Sequence, residues 1–162
     1  MIEKQDLLDD FDEEVAGTRK ILERVPFDKL DFKLSPKSMS LGQLAFMVGS
    51  MPGWFLEIIN DDSIELTAYK QPPKPADAKG LVAAFDEGVK SVEKALSEMD
   101  QARLKDKWAL KMNGKVMMEM PRGIVLRQTV RHLVHHRAQL GVYLKMNGVP
   151  HPALYGASGD EH

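Results

Sequence analysis

At 162 residues, with 43% hydrophobic and 28% charged side chains, the chain has the make-up of a single globular domain, residues 1–162. A formal net charge of −2, with cations scattered and never four in a row, argues against a general nucleic-acid binder, which carries a basic stripe. There is no cysteine, hence no disulfide, thiolate ligand or thiol nucleophile, and no 18-residue apolar run that would span a membrane. The acidic N-terminus is unlike a signal peptide, so a cytoplasmic location is expected.

The first predicted helix covers residues 3–24. Leu7, Leu8, Phe11, Val15, Thr18, Ile21 and Leu22 recur at helical spacing, with Asp and Glu on the other face. Pro26 ends it, and "DKLDFKLSPKSM" reads as loop, extended before Pro36. Ser40 opens the second helix through a capping box in "SLGQ": the hydroxyl caps and Gln43 reaches back. That helix runs from Leu41 to Ile59, with a kink expected at Pro52-Gly53.

"YKQPPKPAD" is a polar, Pro-rich connection, and Asp77 caps a third helix over residues 78–99. Asn113-Gly114, set between "WALKM" and "KVMMEM", predicts a two-stranded hairpin flap. Pro121 suits the first position of a fourth helix, which runs to about Asn147 with Gly148 as its cap and Pro150 beyond. The tail "VPHPALYGASGDEH" has no periodicity. The expected fold is all-α, a four-helix bundle with a small hairpin before the last long helix. The longer connections ahead of the second and third helices leave the packing order open.

Three of the five histidines fall within "RHLVHHRAQL", residues 131–140. With about 100° per residue and His132 at zero, His136 lies near +40°, Gln139 near −20°, Gln128 near −40° and His135 near −60°. Arg127, Arg131, Arg137 and Lys145 fall on the opposite side, between about 140° and 260°, where long cations mark solvent. Arg122, near +80°, can escape past the helix end. His132 and His136 are therefore expected to face the other helices. A buried polar group without partners costs about 1–3 kcal/mol, so something must satisfy them.

Three readings stay open: a metal half-site of two imidazoles one turn apart, a cluster hydrogen-bonded to glutamines, water or backbone, and a general base or pH switch. His135 reads as a rim residue, and His151 and His162 as solvent-facing. Trp54 and Trp108 read as core or interface residues, and the ten methionines as adaptable core filling.

Two stretches carry a resemblance. "MPRGIVLRQTVRHLVHHRAQLGVYLKMNGVPHPALYGASGDE" resembles the C-terminal signature of the DinB/YfiT-like superfamily of metal-dependent thiol transferases, and "SMSLGQLAFMVGSMPGW" resembles its second-helix motif. Together they cover about a third of the chain. The resemblance implies a four-helix bundle, often a homodimer, with nickel or zinc held by three histidines. Two of these map onto His132 and His136. The third belongs to "SLGxLAxH", which reads "SLGQLAFM" here, so it falls on Met47. A thioether is a soft, weak donor for such ions, and a metal site that is weak or empty is expected.

Two functions follow as expectations. One is metal-assisted transfer of a low-molecular-weight thiol to or from a small molecule, or a related hydrolase-type reaction, at His132 and His136, with His135, Gln139, Gln128 and Gln43 lining the site. The other is a metal-free, non-catalytic bundle that binds a small apolar ligand or a protein partner in the same cleft. Neither involves nucleic acid or a membrane.

Overall fold

The computed structural model describes residues 2–161. Its helices are α1 (Lys4–Leu22), α2 (Leu41–Asn60), α3 (Ala78–Glu98) and α4 (Arg122–Met146). Strand β1 (Ser63–Glu65) precedes α3, and β2 (Lys107–Met112) and β3 (Lys115–Pro121) precede α4.

The local signals account for most boundaries. Ser40 Oγ accepts from the Gln43 amide at 3.2 Å and Gln43 Oε1 accepts from the Ser40 amide at 2.8 Å, the reciprocal capping box. Asp77 accepts from Gly80 N at 2.7 Å to start α3. Gly148, at φ 72°, follows α4 in the left-handed region that stops a helix. Pro121 ends β3 and caps α4, one position ahead of its expected place.

Asn113 and Gly114, at φ 52° and 73°, turn β2 into β3 as their pairing predicts. Unexpectedly, the hairpin is part of a three-stranded sheet, because β1 pairs parallel to β2, Ile64 opposite Leu110. Glu65 fastens the turn. Its carboxylate accepts from Thr67 Oγ1 and from the amides of Thr67, Asn113 and Gly114. Those bonds, led by the Thr67 hydroxyl, hold its pKa down at about 2.

Contacts between named side chains give the directions of the helices. Lys4 Nζ donates to the Met99 carbonyl and Arg19 pairs with Asp86, so α1 and α3 are antiparallel. Arg122 donates to the carbonyls of Ile58 and Asp61, and the Tyr143 hydroxyl to that of Met39, so α2 and α4 are antiparallel. Arg127 approaches Asp10 and Arg137 pairs with Glu14, so α1 and α4 run together. Helices α2 and α3 are therefore parallel. Gly49 faces Leu81 and Gly88 faces Pro52 across that pair, each so close that an added Cβ would lie under 3 Å from a side-chain carbon.

In the bundle α1 and α2 are diagonal, each packed on α3 and α4. Phe11 and Phe55 meet across the centre with ring centroids 4.8 Å apart. Because α2 and α3 are parallel, residues 61–77 must return along the bundle's length. Twenty residues of α2 span about 30 Å, which a 17-residue connection covers easily. Part of that return runs over an open face of the bundle and shapes the site described next.

Two arginines expected in solvent are buried. Arg122 is 0% exposed, its guanidinium closing the C-terminal carbonyls of α2 and pairing with Asp62 at 2.5 Å. Arg137 is 2% exposed. It pairs with Glu14 at 2.6 Å, donates to the Glu14 carbonyl and Thr18 Oγ1, and bonds the Tyr155 hydroxyl. The wheel put Arg137 among solvent cations because α4 alone does not show that α1 and the tail supply its partners. Arg127 is half-buried, while Arg131 and Lys145 are exposed as expected.

The tail is anchored rather than loose: Arg24 holds Glu161 and the Pro150 carbonyl. His151 is half-buried, its ring lying against Gly141 of α4. The expectation that it faces solvent is corrected, and His162 lies outside the described residues.

Candidate functional site

An open cleft of about 1000 Å³ lies along α2, with α4 on one side and Leu81, Ala84 and Gly88 of α3 on the other. One face of α2 forms a wall: Gln43, Met47, Ser50, Trp54 and Glu57 recur at three- and four-residue spacing, within an arc of about 80°. The neighbouring arc of the same helix, about 120° round, carries the core residues Leu44, Val48 and Phe55. Val125, Gln128, Thr129 and His132 of α4 form the facing wall. Trp108, Leu110 and Met118 of the sheet close the floor, and residues 69–75 of the α2–α3 connection cross the mouth.

The helix anchors set the level of Met47. Arg122 stands beside Ile58, and Tyr143 beside Met39. Counting between these antiparallel fixed points places Met47 level with about residue 134, midway between His132 and His136. Met47 and His132 both line the cleft.

The imidazoles form a hydrogen-bonded chain. Gln139 Oε1 can only accept, so His136 Nδ1 donates to it, at 2.8 Å. With that proton on Nδ1, His136 Nε2 carries the lone pair that can accept from His132 Nε2–H at 2.7 Å. His135 stands edge-on to His136, with centroids 4.9 Å apart. Neither ring of the pair reaches the core: His132 is exposed on the cleft wall and His136 is half-buried beside it. Partial desolvation of the ring against the cleft wall, then the neighbouring His136 and His135, push the pKa of His132 down from its ordinary value, which favours the neutral ring at pH 7.

Of the other expected site residues, Gln128 lines the cleft and bonds the Met120 sulfur at 3.7 Å. Gln43 lines it too, although its amide oxygen is engaged in the capping box. His135 and Gln139 are exposed on α4, outside the lining.

The donor set is a poor match for a divalent ion. Two imidazoles meet at the cleft wall, the position level with them carries a thioether, and among the described residues no group of three or more His, Asp or Glu side chains is placed so that it could hold a metal ion. Metal–nitrogen bonds of about 2.0–2.1 Å at a tetrahedral angle would separate the two Nε2 atoms by about 3.3 Å. The pair would have to spread, and His132 would have to move its proton from Nε2 to Nδ1.

The wheel singled out the histidines but not the far end of the cleft. Trp54, read as core or interface, stacks on Tyr69 of the crossing segment, with centroids 5.1 Å apart. Lys74 stands 5.9 Å from the Phe46 ring centre. Four methionines expected as core filling, Met39, Met47, Met51 and Met118, contribute to the cleft surface. The signal was present in α2, whose second apolar-and-polar stripe runs beside the core stripe.

The family model described as the DinB family matches residues 1–161. The chain belongs to the DinB family. This DinB-family chain is 22% identical over 148 residues to the uncharacterized protein YrdA of Bacillus subtilis strain 168, covering 91% of the chain and 85% of that relative. Its fold is similar to the crystal structure of a DinB-like protein from Bacillus cereus ATCC 10987, at a TM-score of 0.73, 23% identity and coverage of 93% and 97% of the two chains. It is also similar to a DinB-like protein, YjoA, from Bacillus subtilis, at a TM-score of 0.71 and 15% identity, with the same coverage. Among the described residues no helix is long and apolar enough to cross a membrane.

Proposed function

We propose that this DinB-family protein binds a small, mostly apolar molecule in the cleft along α2, with His132 and Gln128 as polar contacts on one wall. The observation that carries this reading is the cleft itself. Its volume of about 1000 Å³ lies at the upper end of the range for small-molecule sites. Its surface is rich in methionine and aromatic rings, which adapt to an apolar ligand, and few polar groups converge on it.

Gly53 provides the test. It lines the cleft, and a Cβ there meets nothing within 4 Å. Gly53→Trp should place an indole in the open space without disturbing the core. The neutral fluorophore N-phenyl-1-naphthylamine is expected to bind the native protein saturably. Gly53→Trp is expected to weaken that binding by at least about tenfold, with the helical circular dichroism unchanged. Unsaturable binding, or equal binding by both proteins, would count against the cleft.

Metal-assisted thiol transfer is the second reading, favoured by the two Nε2 atoms that approach each other at the cleft wall. Elemental analysis of untagged protein separates the readings. Well under one equivalent of nickel or zinc is expected after gel filtration, because two imidazoles rarely retain either ion. A full, retained equivalent would restore the transferase reading.

A further inference from the structure

At the end of the cleft away from the histidines, three side chains gather at the edge of the core, Trp54 and Tyr69 packed against it and Glu57 beside them. Trp54 and Glu57 lie three residues apart on one face of α2. Tyr69 stacks on Trp54, the two ring planes inclined by 34°. All three line the cleft and are half-buried, so their ring surface and carboxylate remain open to a ligand.

Glu57 takes part in no ion pair among the described residues. Burial, then the nearby Asp61 carboxylate, raises its pKa, and Glu57 in turn adds to the effect of burial on Tyr69. The carboxylate is thus close enough to act on the phenol, and it is partly desolvated without a counter-charge, which is unfavourable. Lys74 is placed over Phe46 instead, and Lys70, the other lysine at the mouth, is exposed.

Two aromatic rings with negative faces beside an unpaired carboxylate are complementary to an organic cation. The rings cover its alkyl groups and the carboxylate balances its charge. Resting on the cleft's being a ligand site, we propose that Trp54, Glu57 and Tyr69 bind an ammonium group at one end of an otherwise apolar ligand. Glu57 lies ten residues, about 15 Å, along α2 from Met47. A ligand that also reaches His132 is therefore elongated, with a polar group at its second end.

Three probes with one tail test the charge: octyltrimethylammonium, octanol and octyl sulfate, each below its micelle-forming concentration, competing with the naphthylamine fluorophore. Octyltrimethylammonium is expected to bind about tenfold more tightly than octanol. Glu57→Gln is expected to abolish that advantage while leaving the affinity for octanol unchanged, and Trp54→Leu to reduce it several-fold. Equal binding of octanol and the ammonium, or preference for octyl sulfate, would overturn the cation site while leaving the apolar cleft intact. If the fluorophore itself fails to bind, the cleft reading falls and the cation site with it.

Discussion

Arg137→Met is expected to lower the unfolding free energy by about 3–5 kcal/mol, a large share of the 5–15 kcal/mol typical of a domain. The guanidinium is 2% exposed and is bonded to the Glu14 carboxylate, the Glu14 carbonyl, Thr18 Oγ1 and the Tyr155 hydroxyl. Methionine fills much of the volume but supplies no donor. The Glu14 side chain, only 12% exposed, would lose its cation, leaving Tyr155 as its hydrogen-bond donor. The cost comes mainly from that stranded carboxylate rather than from the attraction lost, because desolvation offsets most of a buried pair's Coulomb energy. Adding Glu14→Gln should therefore recover part of the loss. Urea unfolding of the two single variants and the double variant measures both effects. A loss below about 1 kcal/mol for Arg137→Met would show that water enters and solvates Glu14.

Arg137 also marks where the chain stops being legible from pattern. The helical wheel uses only neighbours three and four residues away, and by that measure Arg137 joins Arg131 and Lys145. Its burial is decided by Glu14, 123 positions earlier, and by Tyr155 in a tail without periodicity. The four helices, by contrast, rest on local signals. The Ser40–Gln43 box, the Asp77 cap and the Asn113-Gly114 turn each act within four residues, and each appears in the structure as read. Strand β1 was missed for the same reason as Arg137. Three residues hold too little pattern, and their parallel partner lies 46 positions away across a whole helix. The candidate site divides likewise. His132, Met47, Gln43 and Gln128 follow from helix faces and a motif. Trp54, Glu57 and Tyr69 come together only because parallel α2 and α3 send their connection back over the cleft.

The histidine pair supports a sharper test through the residue facing it. Met47→His is expected to raise the affinity for zinc or nickel by about two orders of magnitude or more, measured by competition with a chromogenic chelator at pH 7. Altering a group that merely orients a ligand changes affinity about 10–100-fold, and a third directly bound imidazole should count for more. The surroundings are prepared for it. Gln139 holds His136 Nδ1–H, leaving Nε2 free to bind, and the lowered pKa of His132 favours its neutral ring at pH 7. The remaining cost is to break the Nε2···Nε2 hydrogen bond, move the His132 proton from Nε2 to Nδ1 and open the pair from 2.7 Å to about 3.3 Å. In the Met47→His background, Gln139→Leu should then forfeit about 10–100-fold, because the His136 ring would no longer be held. Met47→Leu is the control and should leave affinity as low as in the native protein. If the histidine variant binds no better than the leucine variant, residue 47 does not stand level with the pair, and the register drawn from Arg122–Ile58 and Tyr143–Met39 would have to shift by at least a turn.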